Sequence, residues 1–175
     1  MENKIIKSET KFVGAVFEVE LRTVELPNGK VGERGVVVHN GASAIVAVTD
    51  DGKLVFVRQY RDAVGDTILE IPAGRLAKGE DPAACALREL EEETGYRASR
   101  LTLMIKFFPV VGYSTEVIHL YLAEGLAPGK PNTDEDEFVD VEEISPDDAL
   151  RLIDEGKIID GKTIAAVLLY ARTKA

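Results

Sequence analysis

A short acidic segment with clear helix start and stop signals lies near the middle of the chain. The stretch Gly74–Tyr96 contains five glutamates, and four of them fall within Glu89–Glu93. Asp81 suits the capping position of a helix, Pro82 fits its first turn, and Gly95 suits the left-handed residue that ends it. The sequence therefore predicts a helix that begins at Pro82 and stops at Gly95, with an unusual density of negative charge.

This charge needs an explanation, because like charges three or four residues apart on a helix repel by about 0.2–0.5 kcal/mol per pair. At helical spacing the predicted buried stripe is Ala83, Leu87 and Leu90, and the carboxylates predicted to share another face are those of Glu89, Glu92 and Glu93. One interpretation is a solvated acidic face, which is what most runs of charge are. The other is a site for Mg²⁺ or Mn²⁺, which prefer oxygen ligands. Spacing alone leaves both interpretations open.

The remaining pattern is one of strands followed by two further helices. Apolar residues alternate from Val13 to Leu21, and an Asn28-Gly29 turn predicts a hairpin with the strand that follows it. The apolar run at residues 42–49 and the strand at residues 54–61 read as a second hairpin. Strands are also predicted in residues 67–72, 100–108, 116–125 and 138–144, and helices from Ser145 to about Glu155 and from about Lys162 to Thr173. The chain thus mixes α and β elements without the βαβ rhythm of a parallel sheet.

Composition narrows the class of function. The chain has 175 residues, the length of one domain, and a net charge of −10, so a nucleic acid partner is not expected. Its single cysteine, Cys85, excludes an internal disulfide and a cysteine zinc site. The first ten residues lack the apolar core of a signal peptide, and no apolar run approaches the length of a membrane span. We therefore expect a cytoplasmic protein with no membrane partner.

The acidic segment resembles the signature of the Nudix hydrolases, GX5EX7REUXEEXGU, in which U is aliphatic. Its fixed positions are filled by Gly74, Glu80, Arg88, Glu89, Leu90, Glu92, Glu93 and Gly95, and Tyr96 is the single departure. The resemblance favours the metal-site interpretation over the solvated face. It implies an α/β/α sandwich around a mixed sheet, with an N-terminal antiparallel β-hairpin arm. We expect residues 1–40 to form that arm, which would mediate dimer formation, and residues 41–175 to form the catalytic domain.

The resemblance also implies roles for the residues of the signature. Glu89 and Glu93 look like Mg²⁺ ligands, with Mn²⁺ as an alternative metal, and the backbone carbonyl of Ala73 looks like a further ligand. Glu92 would be a ligand or would hold one in place. Arg88 is carried over either as a catalytic residue or as a structural one that pairs with Glu80 or with neighbouring carboxylates.

Outside the signature, the chain is similar to the ADP-ribose pyrophosphatase branch of the family. The similar segments are HNGASAIVAV, VRQYRDAV, ILEIPAGR, GYSTEVIHLYLAEGL and DEDEFVDVEEIS. One departure is Val111, which stands where that branch usually has a proline. This bears on the choice of sugar nucleotide and not on the type of reaction.

The branch implies further site residues. Arg61 would hold substrate phosphates, although it could instead be a surface residue paired with Asp62 or Asp66, and Glu70 would orient the substrate or the loop. Glu135 would be the general base, with Glu137 as a metal ligand or substitute base, unless this acidic loop is only solvated. In the arm, Phe17 or Arg34 would help to hold the adenine.

These expectations combine into a function. The resemblance implies Mg²⁺-dependent hydrolysis of the pyrophosphate bond of ADP-ribose or a related nucleoside diphosphate sugar by a homodimer, giving a nucleoside monophosphate and a sugar phosphate. The alternatives are a non-catalytic ADP-ribose sensor and a Nudix hydrolase of another dinucleotide, such as a diadenosine polyphosphate or coenzyme A.

Overall fold

The computed structural model describes residues 2–132 and 138–174. The chain divides into two compact units, of which the first comprises residues 1–41 and 107–118 and the second comprises residues 42–106 and 119–175. Among the helices in these described ranges, none is long and apolar enough to cross a bilayer. The separation of an arm at residues 1–40 from a catalytic domain remains a prediction about function.

The first unit is built on a three-stranded antiparallel sheet in the order β1-β2-β3, with β1 at Lys4–Val13, β2 at Glu18–Glu25 and β3 at Val31–Val38. The predicted turn between β2 and β3 is present, with Gly29 at φ 79° and its N–H donating to the carbonyl of Leu26 at 2.8 Å. The N-terminal arm is therefore one strand larger than a hairpin.

Strand β1 was not predicted, and the alternation from Val13 to Leu21 is not one strand. A turn interrupts it, in which the Gly14 N–H donates to the Phe17 carbonyl at 3.0 Å. A Cβ at Gly14 would lie 2.7 Å from the exposed Phe12 ring, so a larger residue in this turn would displace that ring. Every residue of β1 is exposed. The strand thus lacks the periodic burial that makes a strand visible in a sequence.

The second unit contains the remaining elements. These are β4 (Ala42–Ala47), β5 (Leu54–Arg61), β6 (Asp66–Glu70), β7 (Ala73–Arg75), α1 (Pro82–Thr94), β8 (Arg97–Phe107), β9 (Ile118–Ala127), β10 (Val139–Ile144), α2 (Pro146–Asp154) and α3 (Gly161–Lys174). The strands form a four-stranded sheet in the order β7-β4-β9-β8 and a three-stranded antiparallel sheet in the order β10-β5-β6. The predicted α+β fold, with a mixed sheet and an antiparallel N-terminal hairpin, is confirmed.

The predicted second hairpin is wrong. Strands β4 and β5 belong to different sheets, and the bridge between Val48 and Leu54 links the two segments at their turn. Five consecutive residues of β4 and the first four of β5 are buried. Strands buried on both faces lack the alternation that would identify a strand pair at the surface of a sheet.

The termini of α1 follow the sequence signals. The Asp81 carboxylate accepts the N–H of Ala84 at 3.0 Å, and Gly95 ends the helix at φ 74°. The buried face of α1 differs from the predicted stripe, because Leu87 is 41% exposed whereas Cys85, Ala86 and Leu90 are fully buried. Leu90 packs in the core with Ile45 and Val55 and contributes about 1.5–3 kcal/mol through its burial.

Because the buried face of α1 is rotated about the helix axis from the predicted one, its glutamates also lie differently from the prediction. Glu93 is three residues from Leu90 and falls on the buried side of the helix, where it is 3% exposed. The side chain of Glu89 is 13% exposed and that of Glu92 is 38% exposed. The three carboxylates therefore span a gradient from the core to solvent and do not share one solvated face.

Candidate active site

The first feature of the site is the contact between Glu89 and the backbone of Gly74. Strand β7 passes so close to α1 that a Cβ added at Gly74 would overlap the carboxylate carbon and both carboxylate oxygens of Glu89. The three nearest atoms all belong to that carboxylate. The glycine is therefore required by the position of Glu89, and the pair fixes the spacing between strand and helix.

Glu93 lies one helical turn after Glu89 and meets the same strand. Its Oε2 accepts the backbone N–H of Ala73 at 3.1 Å. A buried carboxylate must be hydrogen-bonded or paired to remain charged, and the Ala73 N–H supplies one such bond. Of the two neighbouring residues of β7, Ala73 thus hydrogen-bonds one carboxylate predicted to bind metal, and Gly74 leaves room for the other.

Arg88 connects three acidic residues of the signature. Its guanidinium lies 2.7 Å from Glu89, 2.8 Å from Glu92 and 3.2 Å from Glu80. Partial burial opposes its charge, but the hydrogen bond with Glu80 and the negative charge of Glu89 hold the pKa of Arg88 above its ordinary value. Glu80 also accepts the Ala77 N–H at 2.8 Å. Arg88 therefore links the loop before α1 to the helix.

The end of α1 anchors the segment that leads to the acidic loop. The Asn132 N–H donates to the Glu92 carbonyl at 2.9 Å. A Cβ at Gly95 would lie 2.8 Å from the Pro131 nitrogen, and one at Gly129 would lie 2.6 Å from the Gly95 carbonyl oxygen. Gly95 thus both ends the helix and makes room for this segment.

The predicted general base and its substitute come shortly after Asn132 in the sequence. Glu135 and Glu137 lie outside the described residues, so their roles remain predictions. Nothing in the sequence indicated that residues 129–132 would pack on α1, because Gly129 and Pro131 read only as loop residues.

Tyr96, the departure from the signature, has a specific contact. Its hydroxyl donates to the Glu143 carboxylate of β10 at 2.5 Å, and this hydrogen bond raises the pKa of Tyr96. An aliphatic residue could supply the apolar contact of Tyr96 with the core cluster but not this bond. The substitution therefore adds a link between the end of α1 and β10.

Arg61 is bound to a carboxylate that differs from both surface partners considered for it. Its Nε and Nη2 donate to the two oxygens of Glu70 at 2.7 and 2.9 Å, and Glu70 is 3% exposed. Burial opposes ionisation of Glu70, but hydrogen bonding to Arg61 and the charge of Lys162 outweigh it, so the pKa of Glu70 is lowered. Arg61 and Glu70, both predicted to meet substrate, are thus brought together.

Two residues of this cluster were missed by sequence reasoning. Lys162 pairs with Glu70 and lies 3.0 Å from Asp160, which also accepts the N–H of Thr163 at 3.0 Å. An aspartate directly before the first residue of a helix is a common N-cap, and this signal could have located Asp160. The long-range pairing of Lys162 with Glu70 has no local signal.

A cavity of about 400 Å³ lies beside this cluster. Its lining combines the charged residues with apolar side chains and comprises Arg61, Ala63, Val64, Ile68, Glu70, Ile159, Asp160, Gly161 and Lys162. The volume lies within the range typical of small-molecule sites, and the mixture of apolar wall and polar groups is characteristic of them. The cavity therefore lies where Arg61 could meet a ligand.

The residues proposed for adenine binding lie in the first unit. Phe17 is 40% exposed, and its ring centroid is 6.0 Å from that of Phe12. Arg34 is exposed and donates to the Glu33 carbonyl at 2.8 Å. Their part in substrate binding remains a prediction.

The donor set suits a hard divalent cation. Within residues 2–132 and 138–174, no three His, Cys, Asp or Glu side chains converge on one point. Mg²⁺ does not need such a cage, because it commonly binds through one or two carboxylates and keeps water and phosphate oxygens as other ligands. The carboxylates of Glu89 and Glu93 beside β7, where Gly74 leaves space that a Cβ would fill, fit that requirement.

Cys85 does not add a nucleophile to this site. Its sulfur is buried and lies 3.5 Å from the Arg75 carbonyl oxygen. Burial, together with the negative charges of Glu80 and Glu89, raises the pKa of the thiol to about 11. The group is therefore protonated at neutral pH and serves as packing under the loop before α1.

Comparison with known proteins agrees with this geometry. The NUDIX domain family matches residues 38–167. An ADP-ribose pyrophosphatase of Bacillus subtilis (strain 168) is 47% identical over 169 residues, covering 95% of this chain and 91% of that protein. A methanol dehydrogenase activator of Bacillus methanolicus is 49% identical over 169 residues, with the same coverage.

A more distant relative and a solved structure extend the comparison. An ADP-ribose pyrophosphatase of Mycobacterium tuberculosis (strain ATCC 25618 / H37Rv) is 39% identical over 166 residues, covering 93% of this chain and 80% of that protein. The crystal structure of an ADP compounds hydrolase superposes with a TM-score of 0.87 at 25% identity, covering 98% of this chain and 94% of that one. The glutamates held on β7, the family match and these relatives together show that the chain belongs to the Nudix family of pyrophosphohydrolases.

Proposed function

We propose that this protein hydrolyses the pyrophosphate bond of ADP-ribose or a related nucleoside diphosphate sugar, giving a nucleoside monophosphate and a sugar phosphate. The observation that carries the proposal is the packing of the Glu89 carboxylate against Gly74 and the hydrogen bond of Glu93 with the Ala73 N–H, together with the ion pair between Arg61 and the buried Glu70. Two relatives that are 47% and 39% identical are named ADP-ribose pyrophosphatases, which supports this choice of substrate.

The proposed cofactor is Mg²⁺, with Mn²⁺ as an alternative. Glu89 and Glu93 would hold it together with the Ala73 carbonyl, and Glu92 would be a further ligand or would keep Arg88 in place. When bound, such a cation neutralises phosphate charge and lowers the pKa of a bound water. Because Glu93 also accepts the Ala73 N–H, its carboxylate is oriented before the substrate arrives.

The remaining steps belong to the chain's own side chains. Arg61 would bind a phosphate oxygen, since a planar guanidinium suits charge-assisted bonds to phosphate. Glu135 would take the proton of the attacking water, with Glu137 as its substitute or as a metal ligand. Arg88 would hold the loop and helix in register through Glu80 and Glu92.

We also propose that the protein works as a cytoplasmic homodimer. The first unit exposes apolar side chains that a second copy could cover, among them Ile5, Ile6, Phe12, Val13 and Val31. Exposed strand edges and contiguous apolar patches are typical of association surfaces. In such a dimer Phe17 or Arg34 would help to hold the adenine. A single buried cysteine needs no oxidising compartment.

The two alternative functions, an ADP-ribose sensor and a Nudix hydrolase of another dinucleotide, predict different experimental results. A sensor would bind ADP-ribose without turnover, but it would not need every glutamate of the signature, and all are present. A Nudix hydrolase of another dinucleotide would differ in its products. The name of the methanol dehydrogenase activator says that this relative activates an enzyme, so its similarity alone does not decide between these substrates.

A substrate panel tests the proposal directly. We expect ADP-ribose, with Mg²⁺, to be cleaved to AMP and ribose 5-phosphate with a higher kcat/KM than GDP-mannose, NADH, diadenosine tetraphosphate or coenzyme A. Product masses identify the bond that is broken. Tight binding of ADP-ribose without products would favour the sensor, and preferred cleavage of coenzyme A or a diadenosine polyphosphate would favour the other hydrolase.

Isosteric loss of charge tests the metal ligands. Glu93→Gln keeps an acceptor for the Ala73 N–H but removes the charge, so we expect kcat to fall by about a hundredfold or more with little change in thermal stability. Glu89→Gln should behave in the same way. The matched control is Glu91→Gln on the same helix, where the carboxylate pairs with Arg97. Near-normal turnover of either ligand variant at saturating Mg²⁺ would show that the ligands are misassigned.

The contact between Gly74 and Glu89 makes a separate prediction. In Gly74→Ala the three atoms nearest the new methyl group all belong to the end of the Glu89 side chain, so we expect the fold to survive while the Glu89 carboxylate is displaced. We expect the Mg²⁺ concentration needed for half-maximal activity to rise by about tenfold or more. A Cβ at Gly35 meets nothing within 4 Å, so Gly35→Ala is the control. An unchanged Mg²⁺ requirement in Gly74→Ala would contradict the role given to Glu89.

The dimer is tested by native mass. The wild type should sediment with twice the mass of one chain, and Ile5→Glu combined with Ile6→Glu should shift it to the monomer, because buried unpaired carboxylates oppose association. The control is Lys7→Glu combined with Thr10→Glu, which introduces two glutamates at polar positions of the same strand and should leave the dimer intact. A wild-type monomer at micromolar concentration would refute the proposed assembly.

A further inference from the structure

Four charged side chains form a chain of contacts at the cavity wall. Arg61 of β5 holds Glu70 of β6 through two hydrogen bonds, Lys162 of α3 binds the same Glu70, and Lys162 also lies 3.0 Å from Asp160. The side chains of Glu70 and Lys162 are only 4% and 15% exposed, whereas that of Arg61 is 39% exposed. Of Arg61, Glu70 and Lys162, Arg61 is therefore the residue that reaches toward solvent.

Without Lys162, the negative charges around Arg61 would offset the positive charge of its guanidinium. Arg61 lies in the field of three carboxylates, those of Glu70, Glu93 and Asp160. Among the members of this chain, Lys162 supplies the second positive charge, and it is placed against Glu70 and Asp160. An arginine whose partner carboxylate is not otherwise neutralised has little net attraction left for a phosphate.

The negative charge of Asp160 is stabilised by groups other than Lys162. It accepts the Thr163 N–H at 3.0 Å and the Thr163 hydroxyl at 2.6 Å, at the first turn of α3, where the helix dipole favours a negative charge. The charge of Lys162 is therefore directed mainly toward Glu70. Lys162 is also not needed to dock α3 on the sheet, because the fully buried Thr163 already accepts the Ile71 N–H at 2.9 Å.

We propose that Lys162 is a positioning residue for substrate binding. It neutralises the buried Glu70, so that Glu70 fixes the orientation of Arg61 without consuming the charge that Arg61 offers to a substrate phosphate. This inference rests on the proposed function, and it extends that function by a residue that lies far from the Nudix signature and acts through Glu70. The cavity beside these side chains gives a phosphate-bearing ligand access to Arg61.

Removal of the Lys162 charge should weaken substrate binding and leave the chemistry nearly intact. In Lys162→Met we expect the KM for ADP-ribose to rise by about tenfold, with kcat within about threefold of wild type. Lys162→Arg restores the charge and should return KM to within about threefold. Lys157→Met removes a lysine that pairs with Glu155 at the surface and should change neither constant.

A second background separates this role from a merely structural one. In Glu70→Gln there is no buried charge for Lys162 to neutralise, so adding Lys162→Met should change KM by less than about threefold. The double variant also removes a positive and a negative charge together, which protects the fold. An equal rise in KM with and without Glu70→Gln, or no rescue by Lys162→Arg, would overturn the proposal.

Binding of the non-hydrolysable α,β-methylene analogue of ADP-ribose, measured by calorimetry with Mg²⁺, makes the two proposals separable. A wild type that binds the analogue but cleaves nothing refutes the hydrolase, and Lys162→Met must then still weaken binding by about tenfold. A wild type that hydrolyses ADP-ribose, with Lys162→Met unchanged in KM and in analogue affinity, refutes only the role of Lys162. A wild type that neither binds nor cleaves refutes both.

Discussion

The site depends on how closely strand β7 approaches helix α1. The Glu89 carboxylate lies on the backbone of Gly74, and the Glu93 carboxylate accepts the Ala73 N–H. These contacts explain how negative charge is held beside a hydrophobic core that includes Leu90. The backbone of the strand donates a hydrogen bond to Glu93, and Arg88 pairs with Glu89 and Glu92. Helix position and ligand geometry are consequently set by the same contacts.

The buried carboxylates in the described part of this acidic chain are all paired or hydrogen-bonded. The chain carries a net charge of −10, yet the buried acids each have a stated partner, with Glu70 bound by Arg61 and Lys162 and Glu93 bound to the backbone. Such arrangements avoid the cost of an unpaired buried charge. They also place two cations, Arg61 and Lys162, in the wall of the cavity of a chain whose overall charge is negative.

Local signals in the sequence predicted the features that local chemistry decides. The ends of α1, the Asn28-Gly29 turn and the start of α2 at Ser145 each depend on residues within one turn of one another, and all are present. Strand β1 was missed because it has no buried face, and the β4–β5 hairpin was wrong because the two buried segments, although joined by a short turn, pair in different sheets. Lys162 was missed because its partner Glu70 lies 92 residues earlier. The predicted metal ligands could be named because their spacing forms a recognisable signature, but the gradient of burial across them depends on the rotation of α1.

The buried thiol of Cys85 gives the molecule a built-in reporter. Its sulfur lies against the backbone carbonyls of Gly74 and Arg75 in β7, and it is the only cysteine in the chain. Because the thiol is fully buried, a disulfide reagent reaches it only after a local opening or unfolding, and separation of β7 from α1 is one such opening. Ligands that hold this segment closed would slow the labelling, so the protection would report their occupancy without an engineered cysteine.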